Sequence, residues 1–119
     1  MPLVRINLMA GNPESYRLSI CNAVHRAMVE TIGVPDHDRF QILTEHTRAN
    51  FLFQHHTENF ERTDAFVVIQ ITLNAGRTTE MKNSFYQRVA ELLSSEVGVR
   101  KEDIFISLVE VASENWFVL

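Results

Sequence analysis

The feature that most constrains this chain is an internal repeat at an offset of 65 residues. Ile6 falls on Ile71, Leu8 on Leu73, Ala10 on Ala75 and Gly11 on Gly76, and Gly33-Val34 falls on Gly98-Val99. Ser19, Val24, Asp38, Phe40, Leu43 and Glu45 also meet their like, so 12 of the 43 ungapped pairs from Leu3 to Glu45 are identical. Composition alone gives about 3, and a period of that strength describes one unit used twice.

Each unit reads β-α-β. A Val/Ile/Leu-rich strand, Leu3–Met9 or Ala65–Leu73, leads through a loop with Gly11 or Gly76 into a helix that stops at Gly33 or Gly98. For the first helix, Asn12 is the expected N-cap, Pro13 the first helical position, and Leu18, Cys21, Val24, Met28 and Ile32 the buried stripe. The second helix is expected from about Thr78, with Glu80 in its first turn and Phe85, Val89, Leu92, Leu93 and Val97 buried. A closing strand follows in each unit, roughly Arg39–Glu45 and Ile104–Val111. The expected fold class is therefore α+β. Two β-α-β units (about 2–45 and 66–111) join across a linker (46–64) into one four-stranded mixed sheet with both helices on one face. In a pseudo-twofold arrangement the two first strands lie antiparallel at the centre. The other sheet face, with Leu3, Arg5, Asn7, Val68, Gln70 and Thr72, then needs cover, and self-association supplies it.

Composition narrows the partners. A chain of 119 residues suits a single domain, and a net charge of −4 without a basic run speaks against nucleic acid. Neither a membrane-spanning run nor a leader is expected, and the single Cys21, read as a core residue, fits a reduced cytoplasmic setting. His46, His55 and His56 lie in the linker without the spacing of a metal site, so hydrogen-bonded histidines are expected there and no metal.

The topology gathers chemistry at one edge. Met1 precedes a small residue, so its removal would leave Pro2 with a free secondary amine at the start of an apolar strand. An α-amino group titrates at about 7.7–8.0, and desolvation lowers that, which suits proton transfer near neutrality. Parallel strands begin at the same edge, which places Asp38 near Pro2. The third strand ends there, with Asn74-Ala75-Gly76-Arg77 leading to a helix N-terminus suited to an anion. Amine, carboxylate and anion clamp converge. At the opposite corner the repeat substitutes Val67 for Pro2, Asp103 for Asp38 and Asn12 for Arg77, so one site per chain is expected. Both aspartates also follow a Gly-Val turn, and a structural role at the strand starts is the competing reading for Asp38.

At these residues the sequence resembles the tautomerase superfamily, and within it the malonate semialdehyde decarboxylase-like branch. Met1-Pro2-Leu3, Gly33-Val34-Pro35, Asp38-Arg39-Phe40-Gln41, Val67-Val68-Ile69-Gln70-Ile71-Thr72, Asn74-Ala75-Gly76-Arg77 and Glu114-Asn115-Trp116 carry the resemblance over nearly the whole chain. The resemblance implies homotrimers, no metal or organic cofactor, and small 2-oxo or 3-oxo acids, their enols or related unsaturated acids as substrates. Pro2 would be the catalytic amine, Asp38 its partner, and Arg77 the group that binds the substrate carboxylate. Asn74, Trp116 and Phe40 would complete substrate binding. Two departures matter. Asn74 stands where the decarboxylase carries the first of two arginines, in a loop one residue longer, and the chain stops soon after the Trp, at Phe117-Val118-Leu119.

The leading expectation is keto–enol tautomerisation of a small 2-oxo acid, with Pro2 as base and Arg77 stabilising the enolate oxygen. Loss of one arginine weakens decarboxylation or hydration, which keeps Pro2 as a general acid and stands second. A non-catalytic oligomeric binding module, with Met1 retained or the tail filling the pocket, is the third reading.

Overall fold

The computed structural model describes residues 2–119; the expected removal of Met1 falls outside them. Strand β1 (Leu3–Met9) is followed by helix α1 (Glu14–Thr31), strand β2 (Gln41–His46), strand β3 (Val67–Asn74), helix α2 (Thr79–Leu92) and strand β4 (Ile104–Val111). The sheet order is β2-β1-β3-β4, parallel within each outer pair and antiparallel at the centre, which is the mixed sheet expected.

The register carries the repeat into three dimensions. Val4 pairs with Gln41 and Met9 with His46, while Ile69 pairs with Ile106 and Asn74 with Val111, each pair displaced by the same 65 positions. The central pairs run from Leu3–Thr72 to Leu8–Val67, and Arg5 faces Gln70, its own repeat mate, so the local twofold passes between those two. Alternation then decides the faces. Val4, Ile6 and Leu8 with Val67, Ile69, Ile71 and Leu73 point to the helices and are buried. They pack on Ile20, Val24, Ala27 and Met28 of α1 and on Phe85, Val89 and Leu92 of α2. The opposite face leaves Ile42, Phe105 and Val109 exposed. No helix among the described residues is long and apolar enough to cross a membrane.

Local details correct the sequence reading at Leu18, Asn12 and the start of β2. Leu18 is 54 % exposed, because the α1 stripe runs through Ile20, Ala23, Val24, Ala27 and Met28 and Leu18 sits some 200° from Ile20 at about 100° per residue. Asn12 does not cap α1. The cap position falls on Pro13, whose carbonyl accepts from the amides of Tyr16 and Arg17, while the Asn12 amide donates to the Met9 carbonyl. β2 starts at Gln41 rather than Arg39, whose guanidinium turns to Asn22 and Gln41. The linker carries an isolated bridge between His56 and Glu61, and Phe51 and Phe53 pack on Phe66, with ring centroids 6.0 and 4.5 Å away.

Other features follow the expectation. Thr78 caps α2, its hydroxyl accepting from the Met81 amide, and Glu80 lies in the first turn. After a wider turn at Leu93–Val97 the chain leaves α2 at Gly98 in the left-handed region (φ 82°), as it leaves α1 at Gly33 (φ 72°), where a side chain would be strained. His46, His55 and His56 hydrogen-bond to Asn7, Asp64 and Glu61. Arg88 and Arg26 converge on Glu30, and Arg26 also reaches Glu96, which ties the two helices across the surface.

Candidate active site

The edge at which β1 begins is built from three chain segments. Pro2 is buried there. The Val4 amide donates to the Phe40 carbonyl at 2.9 Å, which draws the residues before β2 alongside Pro2. After β4 and a single turn at Ser113–Asn115 the tail crosses the same edge. Pro2, Leu3, Phe40, Trp116 and Val118 enclose a cavity of about 120 Å³ with an apolar lining. Thus Pro2, Phe40 and Trp116, three of the expected site residues, line one space. Leu3 and Val118 are further lining residues that the sequence reading did not single out. The apolar tail Phe117-Val118-Leu119 after Trp116 was the available signal for the second.

Asp38 is half-buried in the turn that leads into β2, its amide donating to the Pro35 carbonyl at 3.0 Å. That turn is held from beneath. His25, a buried residue of α1, donates from Nε2 to the Asp36 carbonyl at 2.8 Å, which fixes its Nε2–H form. His25 escaped the sequence reading, because its partner is a backbone atom 11 residues away and leaves no side-chain pattern.

Arg77 reaches the same edge from the β3–α2 loop. Its Nε donates to the carbonyl of Ile32, the C-cap residue of α1, at 2.8 Å, and its Nη1 donates to the Asn74 carbonyl at 3.2 Å. A helix C-terminus leaves carbonyls without intrahelical partners, and a cation suits it. These bonds engage two of the five guanidinium N–H donors and hold the plane of the group in place. The Asn74 side chain, expected beside Arg77 as a substrate ligand, accepts from the indole N–H of Trp116 at 2.8 Å. Close by, Lys82 donates to Glu110 and holds its carboxyl below the usual range, with help from the Gly76 amide and the charge of Arg77.

The symmetry-related corner differs in each part. Val67 is buried and carries no amine. Asp103, 1 % exposed, accepts from the Thr63 amide and hydroxyl at 2.7 Å each and from Arg100. Asn12 closes its own loop. The cavity there, about 430 Å³, has a mixed lining, with Met9 and Ala65 beside Asn12, Tyr16, Arg48 and Asp64. Burial, and after it the charge of Asp103, pushes the Tyr16 hydroxyl above the ordinary phenol range.

Comparison with known proteins places these features in a family. Residues 38–118 match one family model described as tautomerase enzyme, and residues 2–57 match a second of the same description. The probable tautomerase YusQ of Bacillus subtilis is 38% identical over 116 residues, covering 98% of this chain and 91% of that protein. FG41 malonate semialdehyde decarboxylase, solved as its complex inhibited by 3-bromopropiolate, is 35% identical with a TM-score of 0.91 over 98% of this chain and 88% of its own. A fused 4-OT solved as a symmetric trimer is 23% identical with a TM-score of 0.79, covering 98% of this chain and 90% of its own, and shares the fold.

Proposed function

This chain belongs to the tautomerase family, and from that premise we propose that it is a cofactor-free enzyme in which the Pro2 amine, exposed by removal of Met1, catalyses keto–enol tautomerisation of a small 2-oxo acid. The observation that carries this reading is the cavity against Pro2, walled by Phe40 and Trp116 at the edge where α1 and β3 hold the Arg77 guanidinium. A free α-amino group titrates near neutrality, which suits a base used in its neutral form. Pro2 would take the proton from the enol hydroxyl or from the carbon beside the carbonyl. Arg77 would hold the carboxylate and stabilise the developing enolate oxygen through the N–H groups that its structural bonds leave over. The resulting prolinium would give the proton to the other end of the enolate, to carbon in ketonisation and to oxygen in enolisation. Asp38, kept at this edge by the His25-bound turn, would orient the amine or a water.

The test has two parts. Intact mass should show a chain lacking Met1. Ketonisation of an enolised 2-oxo acid should then fall by about 10²-fold or more in Pro2→Ala, the range of general acid–base catalysis. Equal rates in the two proteins would remove Pro2 from the mechanism.

Decarboxylation or hydration of a 3-oxo or unsaturated acid is the second reading, supported by the likeness to FG41 malonate semialdehyde decarboxylase. There Pro2 acts as a cationic acid. Titration of 15N-labelled Pro2 separates the two: a pKa at or below neutrality supports the base, and one well above it supports the acid. Release of carbon dioxide from malonate semialdehyde is the matching activity assay. A homotrimer is proposed with either chemistry, since the sheet face opposite the helices carries exposed Ile42, Phe105 and Val109. A monomer mass in sedimentation equilibrium would remove it.

A further inference from the structure

The Asn74 side chain is committed before any substrate arrives. An indole N–H only donates, so the 2.8 Å bond from Trp116 orients the amide with Oδ1 toward the ring and Nδ2 away from it. The tail beyond has little other hold, since Phe117 is 89 % and Leu119 fully exposed. Trp116 and Val118 form one wall of the Pro2 cavity, and the body of the sheet, through Pro2, Leu3 and Phe40, forms the other. The position of Trp116 therefore sets the width of the cavity; the Trp116 amide donates to the Ser113 carbonyl, and Asn74 supplies the bond that holds the ring.

We propose that Asn74 is a positioning residue that selects substrates by size: its bond to Trp116 keeps the tail wall closed and confines the site to short oxo acids. The space is small by the molecule's own standard, about 120 Å³ against about 430 Å³ at the opposite corner, so a larger acid meets the Trp116 wall. The inference rests on the reading of this cavity as the substrate site, and the direct partner of the substrate carboxylate then remains Arg77 alone.

Trp116 is the only tryptophan in the chain, so its emission reports the bond without any assay of turnover. The proteins to compare are wild type, Asn74→Ala, Asn74→Asp, Trp116→Phe and the Asn74→Ala/Trp116→Phe double variant, each checked for a native thermal transition. Asn74→Ala should move the emission to the red as the ring loosens toward solvent. Asn74→Asp keeps an acceptor and should leave the emission in place. The ratio of kcat/KM for an aryl enol to that for a short enol should rise about fivefold in Asn74→Ala, the factor expected of one neutral hydrogen bond. Trp116→Phe should raise the ratio similarly, and the double variant should go no further than Trp116→Phe. In wild type, Asn74→Ala and Asn74→Asp the same ratio can be read from quenching of Trp116 by short and aryl 2-oxo acids, so a chain that turns over neither enol still decides the question. An unmoved emission in Asn74→Ala overturns the latch. An equal loss for both acids, with the ratio unchanged, overturns it in favour of a direct substrate contact. Failure of Pro2→Ala to alter catalysis would instead overturn the proposed function and leave the emission result standing.

Discussion

The two corners of the sheet share a backbone and differ in what their side chains are engaged to do. Asn12 donates to the Met9 carbonyl at 3.4 Å, and 65 positions on Arg77 donates to the Asn74 carbonyl at 3.2 Å, so the same loop is closed by the same bond. The longer side chain then reaches further, to the Ile32 carbonyl, and brings a fixed charge to the Pro2 edge. The aspartates diverge the other way. Asp103 is buried and taken up by Thr63 and Arg100, whereas Asp38 stays half-exposed in its turn. One corner uses its polar groups to hold the linker; at the other, Pro2 lines an apolar cavity, and Asp38 and Arg77 lie in the turn and the loop that lead to the same sheet edge. A duplicated framework thus supplies geometry twice, and the side chains set the copies apart; under the proposed function the Pro2 copy is the one that does chemistry.

The strongest way to break this comparison is to make the two loops alike. Arg77→Asn places at the Pro2 corner the residue found at the other one. It should cost about 10²–10³-fold in kcat/KM for a 2-oxo acid, the usual effect of removing one group that stabilises a developing oxyanion. The Ile32 carbonyl also loses its cation, so a stability loss of about 1 kcal/mol should accompany it in urea unfolding. An unchanged kcat/KM beside that stability loss would reduce Arg77 to a helix-end residue.

The aspartates offer the next largest contrast. Asp103→Ala strands the Thr63 amide and hydroxyl and should destabilise the fold by about 2–3 kcal/mol. Asp38→Ala should cost about 1 kcal/mol or less, as a half-exposed residue, and act on kcat/KM instead. Chemical denaturation of both variants measures this directly. Equal destabilisation would return Asp38 to the structural role that the repeat allows it.

The framework was legible because its signals are periodic. An offset of 65 fixes strand order and register together, and alternation in β1 and β3 then assigns the buried face. Leu18 went astray because a stripe through Cys21 and Val24 can be extended in two phases, and only the packing on Ile20 and Met28 selects one. Asn12 has the residue type of a cap, but the loop carbonyl of Met9 competes for its side chain. At the candidate site, backbone topology foretold which segments meet. Long-range side-chain pairing was invisible: Asn74 with Trp116, 42 residues apart, His25 with the Asp36 carbonyl, and Phe51 and Phe53 with Phe66. An acceptor for the indole could have been demanded from the sequence, but nothing in it names Asn74 as that acceptor.

The smallest effect belongs to the linker corner and sharpens the division of labour by its pH dependence. Arg48 donates to Asp64 through both terminal nitrogens, and His55 adds a third bond. The Arg48 bond first, then that of His55, hold the Asp64 carboxyl below its ordinary range. A carboxyl whose folded value is depressed contributes stability above its unfolded pKa and loses it as pH falls through the folded one. The pair is exposed, so the gain is slight. Arg48→Met should therefore lower Tm a little at neutral pH, and its gap to wild type should close as the solution is taken below the usual carboxylate range. Turnover at the Pro2 corner should be unaltered, since Arg48 lines only the opposite cavity. A gap that persists in acid would mean that Arg48 acts by packing rather than charge. A changed kcat/KM would mean that the two corners are coupled through β1, contrary to the separation drawn between them.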